Sequence, residues 1–480
     1  MNVNYFGDVT SDNDDELMNQ IDHFNTMVKA NHFHGHNGIN HMLERYNYNV
    51  DNVDKDGQTA LHIAAENSKL ETVLFLLDTM RNLNALNIDG ETPLMIAAQR
   101  GDLRIFRSIN EKLETKTYPP IGLRSPHHVK EGGETLLMMA SIDYTKCGSE
   151  DNYVSCINIV HFLLQNNFDP RIQDEDGKTA LHYALLCRKT DREIFETVLM
   201  LIQCVPKNSL IHLKDNNGDT ALHLASKADR SDSVIPLLLA NGAMVSDTNL
   251  KGETPLHIAF RHNISNNIRL LDVKANICTQ DKMGRTPIHS MVAADKYRSI
   301  KRPGSWHFWQ VVEEFMDELD PEHTLSYLEI KDHDGNTPLL LACKLEDDML
   351  VSRLLGVKGI NVNAADNNGT TVLHECIRFE WEDIISYLLD HDVDVYAYDH
   401  DQITPIILAK ENGIHQFNNI LKWISEKIEH DKLLMLGFAM GQHKRLGNVS
   451  NTHNLTPETL RLIVKQLGFH GPSWDTTPVD

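Results

Sequence analysis

The stretch K-G-E-T-P-L-H-I-A, residues Lys251–Ala259, decides the fold because related phrases recur in register along the chain. Neighbouring phrases are separated by 33, 43, 44, 41, 34, 32, 51, 34 and 33 residues, measured between their threonines. A period of this kind is typical of solenoid proteins, in which each repeat packs only on its neighbours. The phrase threonines are Thr59, Thr92, Thr135, Thr179, Thr220, Thr254, Thr286, Thr337, Thr371 and Thr404.

Each phrase predicts a tight turn followed by a pair of helices. Glycine before the threonine suits a turn residue with positive φ, and the threonine can cap the first free N–H groups of a helix. Proline follows the threonine in several copies, where its missing N–H is harmless. A second helix with apolar residues at i, i+3 and i+4 is predicted over Thr72–Asp78, Asn158–Leu164, Ser233–Leu239 and Asp383–Leu389. An extended stretch, such as residues 360–368, then leads to the next glycine.

The period near 33 and the T-P-L-H-x-A phrase resemble the ankyrin repeat over roughly residues 40–430. The resemblance implies an all-α repeat solenoid of stacked helix-turn-helix units joined by β-hairpin loops, with helical caps at both ends. Residues 1–53 are predicted to be an N-terminal cap or degenerate first repeat, with helices over Leu17–Lys29 and Ile39–Tyr46. Residues 54–430 are predicted to hold the repeats, with insertions near 112–131, 143–153, 204–213 and 295–330. Residues 431–480 form the C-terminal region.

Histidine follows the threonine by three residues in six phrases, at His62, His182, His223, His257, His289 and His374. One imidazole per repeat predicts a row of packed side chains rather than a converging metal or acid–base site. The resemblance implies that each imidazole hydrogen-bonds between adjacent repeats. Apolar residues hold the position elsewhere, as expected of a packing site: Met95, Met138, Leu340 and Ile407. His32, His34 and His36 cluster near the N-terminus, and an ordinary loop is favoured there over a metal site.

Composition limits the classes of partner. The formal net charge of −23 opposes binding to nucleic acid or to anionic membranes, so basic or apolar protein surfaces are the expected partners. No apolar run long enough to span a membrane is present in the sequence. Seven scattered cysteines without C-x-x-C pairs predict reduced thiols and a cytoplasmic or nuclear location, or the host cytosol if the source is an intracellular pathogen.

The sequence favours a non-enzymatic scaffold that binds a protein partner through its concave ankyrin surface and its insertions. It contains no G-x-S-x-G elbow, phosphate-binding loop or H-E-x-x-H helix, so no enzyme activity, cofactor or metal is predicted. A cysteine-dependent enzyme, for instance one using Cys147 with a nearby histidine, is a less favoured alternative.

Two sets of residues are candidates for partner binding. One set lies at the predicted hairpin tips: Asn87, with its neighbour Ile88, and Asn216, His333 and Asn367. The other lies in the longest insertion, where cations precede tryptophans, a composition enriched at interface hot spots: Lys296, Arg298, Lys301, Arg302, Trp306 and Trp309. For the tryptophans, an amphipathic helix that packs on the solenoid behind a solvated basic segment is favoured over direct contact with a partner, and the basic segment could bind while the tryptophans pack.

The segment L-T-P-E-T-L-R-L-I-V-K-Q-L, Leu455–Leu467, predicts a C-terminal helix capped by Thr456. It is interpreted as a cap on the last repeat. It also resembles the opening helix of an F-box, as found in ankyrin proteins of poxviruses and intracellular bacteria. The proline falls one residue late, and only 13 residues follow Leu467. The resemblance implies an alternative function as a host-interacting effector, a substrate receptor that recruits a cullin ubiquitin ligase adaptor. Its residues would be Leu455, Pro457, Glu458, Leu460, Ile463 and Leu467.

Overall fold

Helices and turns make up the part of the chain that the computed structural model describes. The described residues are 12–30, 49–116, 129–130, 132–142, 151–186, 191–206, 209–227, 233–262, 270, 275–295, 326–391, 393–411, 422 and 426. By contact density the chain divides into two compact units. Unit 1 comprises Met1–Ala259 and Asn266–Ala275, and unit 2 comprises Phe260–Ser265 and Asn276–Asp480.

Unit 1 contains a series of short helix pairs. They are preceded by α1 (Asp12–Ala30), which packs on α2 and begins at Asp12 rather than at the predicted Leu17. The helices that follow are α2 (Ala60–Glu66), α3 (Leu70–Thr79), α4 (Pro93–Arg100), α5 (Leu103–Lys116), α6 (Leu136–Ser141), α7 (Asp151–Gln165), α8 (Ala180–Leu186), α9 (Asp191–Gln203), α10 (Ala221–Lys227) and α11 (Val234–Ala240). The boundary between the units falls within α12 (Pro255–His262).

Unit 2 repeats the same arrangement. Its described helices are α13 (Pro287–Asp295), α14 (Pro338–Lys344), α15 (Asp348–Leu355), α16 (Val372–Arg378), α17 (Glu382–Leu389) and α18 (Pro405–Glu411). The first helix of each pair packs on the first helix of the next repeat as well as on its own partner, as α14 does with α15 and α16. Stacking therefore supplies the core, as the repeat pattern predicts.

The core is built from the same positions in the first nine phrases, and in the tenth Ile406 is only partly buried. The leucine two residues after the threonine is at most 1% exposed at Leu61, Leu94, Leu137, Leu181, Leu222 and Leu256. Burying one such side chain contributes about 1.5–3 kcal/mol. The small alanine three residues further on lets neighbouring helices approach closely. In the ninth phrase Cys376 takes this place and is fully buried, so a small thiol fills the same packing position.

The turns before the first helices are closed by isolated β-bridges rather than by long strands in the described residues. Val53 pairs with Thr59, Val129 with Thr135, and Ala365 with Thr371. The glycine two residues before the threonine in the first nine phrases has positive φ, for example 78° at Gly218, and in the tenth phrase Gln402 takes this conformation with φ of 60°. A Cβ at Gly218 would lie 2.6 Å from the backbone nitrogen of Leu250 in the next hairpin. Glycine is thus required both by the turn and by the close approach of the neighbouring repeat.

Candidate functional site

A histidine links each of several repeats to the next. In the first repeat, Nδ1 of His62 lies 3.0 Å from the backbone nitrogen of Thr59, which is a donor, so Nδ1 is the acceptor. Nε2 therefore carries the proton and donates to the carbonyl of Glu91 in the second repeat, 3.0 Å away. The same pair of contacts is made by His182, His223, His289 and His374. The implied hydrogen bond between repeats is confirmed at these positions.

Burial keeps these imidazoles neutral. Desolvation is the main cause that lowers the pKa of His62, and it lowers the pKa of His223 to about 4 despite the carboxylates of Asp219, Asp247 and Asp215 nearby. The pKa values of His182, His289 and His374 are lowered by burial in the same way. A neutral ring with both nitrogens occupied by framework groups is a structural element, and it offers no free nitrogen to a substrate or metal.

The residues that replace histidine are only partly as predicted. Met95 and Met138 are buried, and their sulfur atoms take the place of Nδ1, 3.3 Å from the nitrogens of Thr92 and Thr135. Leu340 is fully buried. Ile407 is 39% exposed, so the prediction of a packed side chain is wrong in the tenth phrase.

An acidic or amide side chain stands five residues before the threonine in every phrase except the third, which has Lys130, and it shapes the hairpin. The Asn87 side-chain oxygen accepts from the backbone nitrogens of Asp89 and Glu91, at 3.0 and 2.8 Å. Asn87 is consequently only 7% exposed, and the structure places it inside the turn rather than on its surface. The prediction that Asn87 lies on the surface of the hairpin tip is therefore wrong. Asp54, Asp215, Asn249, Asp281, Asp332 and Asp366 make the same pair of contacts.

The next residue in each hairpin, four before the threonine, carries an outward side chain; we call these the tip residues. The backbone nitrogen of a tip residue donates a hydrogen bond to a carbonyl of the preceding hairpin. The nitrogen of Ile88 donates to the carbonyl of Asp56 at 3.1 Å, and the nitrogen of Asn367 donates to the carbonyl of Asp334 at 3.0 Å. The backbone is thus fixed while the side chain is free to vary. The described tip residues are all exposed: Lys55, Ile88, Glu175, Asn216, Leu250, Lys282, His333, Asn367 and His400.

Asn216, His333 and Asn367 therefore lie where the tip prediction placed them. The side-chain nitrogens of Asn216 and Asn367 donate to the carbonyls of the preceding tips, Glu175 and His333, at 2.7 and 2.8 Å. These asparagines thus brace the row of hairpins and leave their side-chain oxygens for other contacts.

A polar network crosses three repeats of unit 1, and the sequence did not single it out. Glu91 accepts from Gln99 at 2.9 Å and from Lys130 of the next repeat at 3.3 Å. One repeat further, the Tyr183 hydroxyl lies 3.0 Å from a Glu134 oxygen and 2.6 Å from an Asp174 oxygen. Burial, followed by these carboxylates, raises the pKa of Tyr183, so the phenol stays protonated.

The remaining candidates divide between described and undescribed residues. Lys296, Arg298, Lys301, Arg302, Trp306 and Trp309 lie outside the described residues, as do the C-terminal segment Leu455–Leu467, the histidines at 32–36 and Cys147. Burial raises the pKa of the described thiols Cys204, Cys278 and Cys343, which is opposite to the activation that a nucleophilic cysteine needs. Within the described ranges, no group of three metal-ligating side chains comes together. None of the described helices is long and apolar enough to cross a membrane.

Comparison with known proteins agrees with this architecture. A family profile for ankyrin repeats, built on three copies, matches residues 26–117, 149–249, 191–281 and 310–399. The chain belongs to the ankyrin-repeat family, and ankyrin repeats generally mediate protein–protein interaction.

Among curated relatives, Neurogenic locus notch homolog protein 1 of Danio rerio is 30% identical over 214 residues, covering 44% of this chain and 8% of the relative. Neurogenic locus notch homolog protein 2 of Homo sapiens is 31% identical over 173 residues, covering 36% of this chain and 6% of the relative. The chain therefore spans less than a tenth of the length of these relatives. A solved structure of the ankyrin repeat domain of Bcl-3 aligns over 52% of this chain and all of that domain, with 22% identity and a TM-score of 0.40.

Proposed function

We propose that the protein is a non-enzymatic scaffold that binds a protein partner through its tip residues, the exposed faces of its first helices and its insertions. One observation carries this proposal. Hydrogen bonds within and between repeats engage the same positions of each phrase, namely the threonine, histidine, Asp or Asn, and glycine. The tip side chains, by contrast, are exposed and differ in charge and size. A constant framework that presents variable side chains is suited to recognition of a protein surface.

The net charge of −23 favours a partner with a basic or apolar surface. The test uses the full chain as bait for cell lysate, with capture measured for wild type and for a His333→Ala, Asn367→Ala double variant. Met349→Ser, which changes an exposed residue on a second helix, is the matched control. The proposal predicts that the tip variant loses a specific protein that the control retains. Equal capture by both variants, or loss only by the control, would refute it.

The alternative function as a cullin ligase receptor rests on residues 455–467 of the sequence. A chain ending near His430 separates the two proposals. The receptor hypothesis predicts that the truncated chain keeps its target and loses the cullin adaptor and target ubiquitylation. If the full chain captures no cullin adaptor, the plain scaffold stands. A truncation that unfolds the last repeats would assign the segment to the cap.

A further inference from the structure

The outer edge of each hairpin differs between the first three repeats and those that follow. The residues six before each phrase threonine are the edge residues. In the later hairpins of unit 1 they are polar: the Gln173 side chain donates to the carbonyl of Lys214 at 2.8 Å, and the Lys214 ammonium donates to that of Thr248 at 2.6 Å. Unit 2 shows the same contacts, from Gln280 to Lys331 at 2.9 Å and from Lys331 to Ala365 at 2.7 Å.

The first three repeats carry apolar side chains at this edge. Val53, Leu86 and Val129 are 46%, 56% and 45% exposed. The polar edge contacts show that consecutive edge residues lie within one side-chain length of each other. Because the repeats stack regularly, Val53, Leu86 and Val129 form one row, the edge stripe. The tip residue Ile88, 70% exposed, extends it at the second hairpin.

This apolar row contrasts with the fourth to eighth hairpins, whose edge residues are all polar and in four cases donate a hydrogen bond to the next hairpin. The ninth hairpin carries the small residue Ala365 at this place. Scattered apolar residues on a surface need no explanation, but a contiguous row rimmed by polar groups marks an interaction site. The side chains of the edge stripe cannot form the hydrogen bonds that Gln173 and Lys214 make at the same position. They present an exposed apolar surface to a partner instead.

The charges around the edge stripe indicate the chemistry of that partner. From edge residue to threonine, the hairpins of the first three repeats carry five described carboxylates and two lysines. Lys130 is paired with Glu91 and Glu134, which leaves Asp56 and Asp89 as exposed carboxylates near the stripe and Lys55 as the exposed cation. The stripe therefore lies in a negative rim, which attracts cations and repels acidic segments.

We propose that the edge stripe, with Ile88, is the docking site for a partner segment that combines apolar side chains with lysine or arginine. This deepens the proposed scaffold function and rests on it. The apolar side chains of the segment lie on Val53, Leu86 and Val129, and its cations lie near Asp56 and Asp89.

The chain itself supplies the variant that tests this site. Leu86→Gln places at the edge the residue type that Gln173 and Gln280 provide in other hairpins. By analogy with their hydrogen bonds to the next hairpin, the new side chain is expected to donate to the carbonyl of Val129 and to preserve folding. Met349→Gln removes an equally exposed apolar side chain (54%) from a second helix and serves as the control. Thermal unfolding followed by circular dichroism verifies that both variants are folded before binding is measured.

The probe is a library of short random peptides selected on the immobilised full chain. We expect enriched peptides to pair apolar residues with lysine or arginine, and their affinity to fall about tenfold in Leu86→Gln and to stay unchanged in Met349→Gln. Replacing the cations of an enriched peptide by glutamate should weaken binding by a similar factor. Enrichment of acidic peptides, or of peptides indifferent to Leu86→Gln, would overturn the inference.

Two further outcomes are distinguished by the same proteins. If sedimentation shows that wild type self-associates and that Leu86→Gln does not, the occupant is a second copy of this chain and the partner inference is wrong. If peptides and captured proteins depend on His333 and Asn367 but not on Leu86, the edge-stripe inference fails while the scaffold proposal stands. If neither set of variants alters binding, both fail.

Discussion

Nε2 of His223 donates to the carbonyl of Glu253, 3.0 Å away and 30 residues further along the chain. This bond joins the first helix of one repeat to the turn of the next, and Nδ1 of the same ring accepts from Thr220. A single neutral side chain thus couples the cap of its own helix to the position of its neighbour. The contact makes the stack sensitive to proton concentration.

Acid should weaken the fold through these histidines. The pKa of His223 is about 4 in the folded chain, because burial opposes the charged form, against about 6.5 for an unfolded chain. The unfolded state therefore binds more protons between these values, and stability falls as pH is lowered from about 6.5 towards 4. At about 1.4 kcal/mol per pH unit, His223 alone accounts for about 3 kcal/mol at pH 4. Urea unfolding at a series of pH values measures the slope.

Replacing His223 by methionine should lower stability at neutral pH and reduce the pH dependence. Methionine occupies this position at Met95 and Met138, so its sulfur can accept from the nitrogen of Thr220. The bond from Nε2 to the carbonyl of Glu253 is lost, while that carbonyl keeps its bond from the backbone nitrogen of Asn249, so we expect a cost of about 0.5–1.5 kcal/mol. The measurement is the loss of unfolding free energy between pH 7 and pH 4.5, compared between wild type and His223→Met. This loss should be smaller in the variant. An unchanged difference would contradict the role assigned to the ring.

Gly218→Ala should destabilise the chain by about 2 kcal/mol or more. Its φ is 78°, and the added Cβ would meet the backbone of Leu250 and Asn249. Gly132→Ala is the control, because a Cβ there meets nothing within 4 Å. We expect the control to stay within about 0.5 kcal/mol of wild type. Equal effects in chemical unfolding would show that the neighbouring hairpin does not restrict Gly218.

Tyr183→Phe should destabilise unit 1 by about 1–2 kcal/mol. The hydroxyl lies between oxygens of Glu134 and Asp174, and its removal leaves two carboxylates near each other without the shared donor. Repulsion between like charges is screened by salt, so the loss should shrink as ionic strength rises. Thermal unfolding at low and high sodium chloride measures this dependence. A loss that does not change with salt would assign the effect to packing of the ring alone.

Much of the fold could be predicted because the repeat phrase encodes it locally. The threonine caps, the glycine turns and the buried leucines all follow from residue types at fixed spacing. The predicted second helices Thr72–Asp78 and Asp383–Leu389 lie within the observed Leu70–Thr79 and Glu382–Leu389. The first helix begins at Asp12, five residues before the predicted Leu17.

The surface was harder to predict, because exposure depends on neighbouring repeats. Asn87 was expected at a tip, yet its side chain closes the turn. The sequence showed Val53, Leu86 and Val129 six residues before their threonines, but a valine in a hairpin is ordinary and only its exposure and the polar contacts at Gln173 reveal a row. Tyr183 meets Glu134 across 49 residues, a contact that no local pattern encodes.

Hydrogen exchange of the full chain, free and bound to the protein that it captures, tests the scaffold account most directly. The account predicts added protection in the hairpin segments, such as residues 84–91 and 331–336, and little change in the second helices Leu70–Thr79 and Asp348–Leu355. Protection confined to those second helices, with the hairpins unchanged, would contradict it and would move the binding surface to the other side of the repeats.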